Sequence, residues 1–149
     1  MSSRDHTSFL DARQNQLQLE LAAGDGIDAK ALGLLASNLA VLIFIGQSNL
    51  SLHSWQVIGL VVTFFVSLSF AVLAIWPRHY PGASVSLYDH PEYLQLTTVR
   101  LVNQLIADTE VAILQIKQIN KVRWYLCATS LIIMVGASLP LFGLLYFKV

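Results

Sequence analysis

The sequence predicts an all-α integral membrane protein with three transmembrane helices, in which a long cytoplasmic helix continues directly into the third span. Its composition supports this, since 55% of the 149 residues are hydrophobic and only 12% are charged. A soluble domain carries about 25% charged residues. The mean hydropathy of +0.60 agrees. Three long apolar stretches, separated by polar segments, give the number of spans.

The first segment, residues 1–26, is predicted to be cytoplasmic and amphipathic. A short helix is expected over 7–22, and Gly24 and Gly26 are expected to end it. Four apolar residues fall near one face of that helix: Phe9, Leu10, Leu17 and Leu21. The segment either docks on a membrane surface or a partner, or orders only against a neighbour.

The second segment, residues 27–76, is predicted to be a hairpin of two spans. The apolar run 31–45 rises only about 22 Å, less than the ~30 Å hydrocarbon core, so the first helix is expected to extend back past Lys30. Asp28 would then pair with Lys30 or cap the helix start. The second span runs from Trp55 to Trp76, with one tryptophan at each membrane interface.

Asn38 lies in the middle of the first span, where polar groups are costly and tend to face protein or water. Two interpretations stay open for it. It forms one hydrogen bond to another helix, or it lines a pore built from several subunits.

The third segment, residues 77–149, is predicted to be an irregular connector followed by one long helix. The helix is expected to begin at Pro91 and to enter the third span at Trp124, so that residues 91–123 reach roughly 50 Å beyond the membrane. An apolar seam along it suits a helical bundle and predicts a homo-oligomer. The seam residues are Val102, Leu105, Ala112, Ile116 and Ile119.

Two further features of this helix concern charge and shape. Asp108 and Glu110 interrupt the seam, and they either pair with a neighbouring Arg or Lys or face water. Gly136 and Pro140 lie near the middle of the third span, where Pro140 removes a backbone hydrogen bond. A kink is therefore expected there, with Ser138 as a candidate to satisfy the freed carbonyl group.

The positive charges predict the orientation in the membrane. The loop 47–54 has no Lys or Arg, whereas the N-terminal tail and the segment 77–123 carry several. The positive-inside rule puts both of these in the cytoplasm and the C-terminus outside. Four juxtamembrane cations contribute: Arg78, Lys117, Lys121 and Arg123. They are expected to set topology and contact lipid headgroups, or alternatively to meet a phosphate.

Motifs for catalysis or metal binding are not found. The sequence has no phosphate-binding loop and no GxSxG, CxxC or HExxH motif, and its one cysteine is Cys127. The four histidines are predicted to lie on opposite membrane faces. We therefore expect no catalytic residues, no cofactor and no metal site, and the balanced charge gives no reason to expect nucleic acid binding.

The stretch GIDAKALGLLASNLAVLIF resembles the entry to the first span in Pycsar-type and related nucleotide-cassette-associated small transmembrane effectors of bacterial antiphage defence. The similarity is carried by Asp28, Lys30, Ala31, Leu34, Leu35 and Asn38. The remaining architecture is similar as well, through Pro77 and Arg78, Tyr88 and Tyr93, and the basic entry to the last span with Lys117, Lys121, Arg123 and Trp124.

The resemblance implies an oligomeric effector of the bacterial inner membrane. Such a protein would permeabilise the membrane when a cyclic nucleotide or a partner protein signals infection, and would thereby arrest or kill the cell. The segment 77–123 is short for a nucleotide pocket of its own, so a pocket between subunits or a separate cytosolic sensor is expected. A membrane anchor that recruits a soluble partner through the helix 91–123 is the alternative.

Overall fold

A computed structural model of the chain describes residues 3–47, 54–76 and 96–146. These residues form three α-helices, which we number in chain order: α1 (Ser3–Gln47), α2 (Ser54–Ile75) and α3 (Thr98–Tyr146). All three are long and apolar enough to cross a membrane. The predicted all-α fold with three helices of spanning length is thus confirmed, as is the continuity of the long polar helix with the third apolar stretch.

Helix α1 runs without interruption from Ser3 to Gln47, so the prediction that Gly24 and Gly26 end a short helix is wrong. Each glycine costs a helix roughly 1 kcal/mol relative to alanine, which packing against other helices can offset. Gly24 is buried, which indicates such packing. The expectation that the first helix extends back past Lys30 is confirmed.

Helix α3 begins at Thr98 rather than at Pro91. Leu96 and Thr97 are described and are not helical, and the Thr97 carbonyl accepts the first intrahelical bond from the Leu101 amide at 2.9 Å. The predicted cap around Pro91, the connector 77–90 and Arg78 lie outside the described residues. With 49 residues, α3 measures roughly 74 Å, about 2.5 times the ~30 Å thickness of the hydrocarbon core.

The described chain divides into two compact units. Unit 1 contains residues 3–25 and 96–120, and unit 2 contains residues 26–76 and 121–146 within the described ranges. Unit 1 joins the N-terminal part of α1 to α3. Arg13 forms an ion pair with Glu110 at 2.7 Å, and the buried Asn120 side chain donates to the Glu20 carbonyl at 2.8 Å. Glu110 therefore pairs with Arg13 of the same chain, and with its side chain 45% exposed it also faces water.

Unit 2 is a three-helix assembly with two separate apolar clusters. The first cluster contains Ile27 and Ala31 of α1, Ala74 near the end of α2, and Cys127 of α3. The second cluster contains Ile45 near the end of α1, Phe64 in the middle of α2, and Ala137 and Leu141 of α3. The clusters fix the helix directions, with α1 and α3 parallel and α2 antiparallel to both.

Much of the apolar surface of unit 2 is left uncovered by the chain itself. Only 17% to 22% of the most apolar stretch of each helix is buried. Large side chains such as Ile43, Ile132 and Leu139 are exposed. Exposure of such an apolar surface to water is unfavourable, whereas lipid hydrocarbon or another subunit would cover it.

Candidate functional site

Three helices of unit 2 meet at one buried charge, the guanidinium of Arg123. This side chain is 4% exposed. It donates from Nε to the Ala74 carbonyl at 2.8 Å, and from an Nη nitrogen to the carboxylate of Asp28. Arg123 on α3 therefore binds α2 near its C-terminal end, where carbonyl groups lack helical partners, and binds α1 at the same level.

This arrangement changes the role predicted for two residues. Asp28 neither pairs with Lys30 nor caps a helix start, since it lies inside α1 and pairs with Arg123. Arg123 is buried in protein and is not placed to contact lipid headgroups. Charges are buried in proteins only when they are paired and hydrogen-bonded, and Arg123 meets both conditions.

A second polar feature lies between the two apolar clusters, with one fully buried residue from each helix. Asn38 of α1, Ser67 of α2 and Ser130 of α3 are all 0% exposed. In each helix the polar residue falls between a member of the first cluster and a member of the second. We call these three residues the mid-span polar layer.

The two serines of the layer join α2 to α3 reciprocally. Ser67 donates to the Ser130 carbonyl and Ser130 donates to the Ser67 carbonyl, both at 2.9 Å, and the two hydroxyl oxygens are 3.1 Å apart. Such pairs need small side chains, so that the two backbones can approach closely. Ala71, one turn along α2 from Ser67, is also 0% exposed and agrees with this close approach.

Asn38 is not fully satisfied. Its amide nitrogen donates to the Leu34 carbonyl of its own helix at 2.8 Å, while its buried Oδ1 has no hydrogen-bond partner among the residues that the structure describes. The predicted hydrogen bond from Asn38 to another helix is thus not formed in the described part of the chain. Leaving a buried acceptor unpaired costs about 1–3 kcal/mol, so a role beyond packing is expected.

The serine pair allows a direct test of the layer's geometry. We expect Ser67→Ala and Ser130→Ala each to destabilise the protein, and the double variant to lose less than the sum, with a coupling energy of about 0.6–1.7 kcal/mol. The measurement is a double-mutant cycle on the purified protein, unfolded in mixed micelles. Strictly additive losses would show that the two hydroxyl groups do not interact with each other. Ser69→Ala is the control, because its hydroxyl bonds only within α2 to the Phe65 carbonyl.

The other predicted site residues are spread over both units. Of the span-entry residues, Ala31 is fully buried in the first cluster and Lys30 is exposed. Lys117 and Lys121 are exposed on α3, and their juxtamembrane role stays a prediction. Gly136 and Pro140 both lie within α3, which stays helical to Tyr146. The kink stays a prediction.

Two details qualify the predicted seam and kink. Ala112 and Ile116 are 2% and 0% exposed within a single chain, so these two seam residues are already covered without a second subunit. Val102, Leu105 and Ile119 are half-buried, and the seam as an oligomer contact stays a prediction. The Ser138 hydroxyl donates to the Val135 carbonyl at 2.8 Å, one residue before the carbonyl group that Pro140 frees.

The sequence carried a signal for the Asp28–Arg123 pair that sequence reasoning missed. Both residues were assigned to the same membrane boundary, one at the entry to the first span and one at the entry to the third. Opposite charges at equal depth on two spans are natural partners, because an unpaired charge at that level is costly. Nearness in sequence suggested Lys30 instead. No group of three His, Cys, Asp or Glu side chains in the described ranges could hold a metal ion.

The three long apolar helices define a multi-pass membrane protein, and the buried Arg123 and the mid-span polar layer lie between them. Comparison with family models identifies which kind. Residues 12–147 match the model of the Pycsar effector protein domain, PycTM, and the chain belongs to this family. It is thus a membrane effector of Pycsar antiphage defence, as its resemblance to these effectors implied. Comparison with curated proteins and with solved structures gave no match.

Proposed function

We propose that this chain is a bacterial inner-membrane effector that assembles into an oligomer and permeabilises the membrane when infection is signalled. The signal would be a cyclic nucleotide or a cytosolic sensor protein of the same defence system. We further propose that the N-terminus and unit 1 lie in the cytoplasm and the C-terminus outside, in line with the distribution of positive charges. Loss of the membrane barrier would stop phage spread by abortive infection.

The observation that carries this proposal is the mid-span polar layer. Three fully buried polar side chains lie between the two apolar clusters, and polar groups inside a span are costly, which supports a role beyond anchoring. The Oδ1 of Asn38 has no hydrogen-bond partner among the described residues, which leaves this layer able to gain one, from water or from a neighbouring subunit. Rearrangement of the helices would therefore gain hydrogen bonds at the place where a polar path has to form.

An oligomer is needed because one copy has too few helices to enclose a water-filled path. The two apolar clusters and the serine pair occupy the centre of unit 2 in a single chain. A path would thus form between subunits. Exposed apolar residues on α3 in unit 1 offer a contact for assembly, since Val111 is 53% and Leu114 is 66% exposed and they lie one turn apart.

We expect Leu114→Lys to reduce assembly by at least about tenfold. The substitution removes an apolar side chain from the subunit contact and replaces it with a lysine whose charge would lose its hydration there. The measurement is chemical cross-linking in membranes of infected cells, followed by electrophoresis. Leu114→Met keeps the apolar contact and should assemble like the original chain. Since Leu114 is exposed, neither change should alter the fold of one copy. Undiminished cross-linking of Leu114→Lys would contradict assembly through this face.

The alternative function is an anchor or scaffold that recruits a soluble partner through α3. It predicts that substitutions at Asn38 and Pro140 leave phage protection intact, because neither residue would then do more than hold the span together. The effector proposal predicts that these substitutions matter as much as those on the exposed face of α3. Plaque counts on cells carrying each variant distinguish the two functions.

A further inference from the structure

Unit 2 contains a groove between α1 and α3, close to the Asp28–Arg123 ion pair. Its volume is about 380 Å³, within the range of about 300–1,000 Å³ that is typical of small-molecule sites. Both helices belong to candidate membrane spans, so the groove opens toward the space that lipid occupies. Its lining includes Ile27, Lys30, Gly33, Leu34, Trp124 and Leu131.

The walls of the groove suit a hydrocarbon chain. Apart from Lys30, its lining side chains are apolar or aromatic, or are the small residues Cys127 and Ala128. The groove has open space at Gly33, since a Cβ atom placed there would meet nothing within 4 Å. From Trp124 to Leu131 the helix rises about 10 Å, which is enough for a stretch of acyl chain.

One end of the groove carries a positive charge. Lys30 and Trp124 lie at the end nearer to Asp28 and Arg123, while Leu34 and Leu131 lie deeper in the span. Within the described ranges, no carboxylate forms an ion pair with Lys30, because Asp28 is paired with Arg123. Trp124 is half exposed at this level, where tryptophan commonly marks the membrane interface. The ammonium group of Lys30 is thus available to a phosphate at headgroup depth.

We propose that this groove is a binding site for an anionic phospholipid, with an acyl chain along the apolar walls and the headgroup phosphate on Lys30. A second groove in unit 2, of about 260 Å³, serves as an internal comparison. Its lining is Trp55, Gln56, Gly59, Leu60 and Pro140, with no charged residue. The charge on Lys30 is what selects an anionic lipid for the first groove, and the second groove has no such preference.

The test uses Trp124 as a reporter in the full chain. Trp55→Phe and Trp76→Phe remove the other two tryptophans, both of which are exposed. The protein is reconstituted in phosphatidylcholine vesicles, and quenching is recorded with brominated phosphatidylglycerol or brominated phosphatidylcholine at equal mole fractions. We expect phosphatidylglycerol to associate about fivefold more strongly at Trp124, the contribution of roughly one lysine near a membrane surface.

Variants of the two grooves locate the effect. Lys30→Gln should bring the two lipids to equal association, and Lys30→Arg should keep the preference. Gly33→Leu should lower quenching by both lipids, because the side chain fills open space without displacing a neighbour. Gly59→Leu, equally open, is the matched control in the second groove and should change nothing.

Three results would overturn the proposal. The first is equal quenching by the two lipids in the parent protein, and the second is a preference that survives Lys30→Gln. The third is protection of Trp124 from both lipids, which would show that a second copy covers the groove. Because Lys30 is exposed, Lys30→Gln should leave the packing of unit 2 unchanged. The first two results can therefore be measured even if a glycine variant folds poorly.

Discussion

Replacing Asp28 with asparagine is expected to lower the free energy of unfolding by about 3 kcal/mol, the largest stability effect that we predict for a single polar substitution. The change removes the carboxylate that neutralises Arg123 while the guanidinium stays 4% exposed. Asp28 itself is 39% exposed, and losing its charge is costly because the Arg123 guanidinium that remains is kept away from water. The bond from Arg123 to the Ala74 carbonyl does not replace a negative charge.

The measurement is the unfolding of the purified protein in mixed micelles, followed by circular dichroism. Lys121→Gln is the control, since it changes an exposed charge on the same helix and should shift stability by less than about 0.5 kcal/mol. The double variant Asp28→Asn with Arg123→Gln should lose less than the sum of the two single losses. An Asp28→Asn protein as stable as the parent would show that the pair does not hold the three helices together.

Replacing Asn38 with leucine is expected to separate stability from function. The two side chains have the same branched shape and the same number of heavy atoms, and the substitution removes a buried acceptor that has no partner among the described residues. The free energy of unfolding should therefore stay unchanged or rise by about 1 kcal/mol. Phage protection should nevertheless fall to the level of cells that lack the chain, because the mid-span polar layer loses its adaptable member.

Ser37→Leu provides the matched control for Asn38→Leu. Ser37 is the preceding residue of α1, is exposed, and donates only to the Gly33 carbonyl of its own helix at 2.9 Å. The same change in side-chain type at this neighbouring position should leave protection intact. Full protection by Asn38→Leu would remove the mid-span polar layer from the mechanism and would favour the anchor or scaffold function.

The fold class was predictable because apolar runs of spanning length are a strong signal. The three helices and the continuity of α3 through Trp124 follow from the absence of turn residues between the polar and apolar parts. The helix ends were less predictable. The positions of glycine and proline in the sequence predict that the first helix ends at Gly24 and that the last helix starts at Pro91. Instead α1 continues through Gly24, where unit 1 packs α1 against α3, and α3 starts only at Thr98.

The candidate site was predictable by residue but not by partner. Asp28, Asn38 and Arg123 each stood out, because a polar residue in or beside a span needs a reason. Their partners lie far along the chain, with Arg123 separated from Asp28 by 95 positions and Ser130 from Ser67 by 63. Such pairings depend on how the helices pack and on their rotation about their axes, which the periodicity of one helix does not determine.

The most direct test of the proposed function is the membrane potential during infection. Bacteria carrying the chain with the rest of its defence system are loaded with a potential-sensitive dye, and fluorescence is followed after phage addition. We predict that the potential collapses before lysis in cells with the parent chain and is maintained with Asn38→Leu. A potential that stays intact in infected cells while their growth stops would contradict permeabilisation of the membrane by this chain.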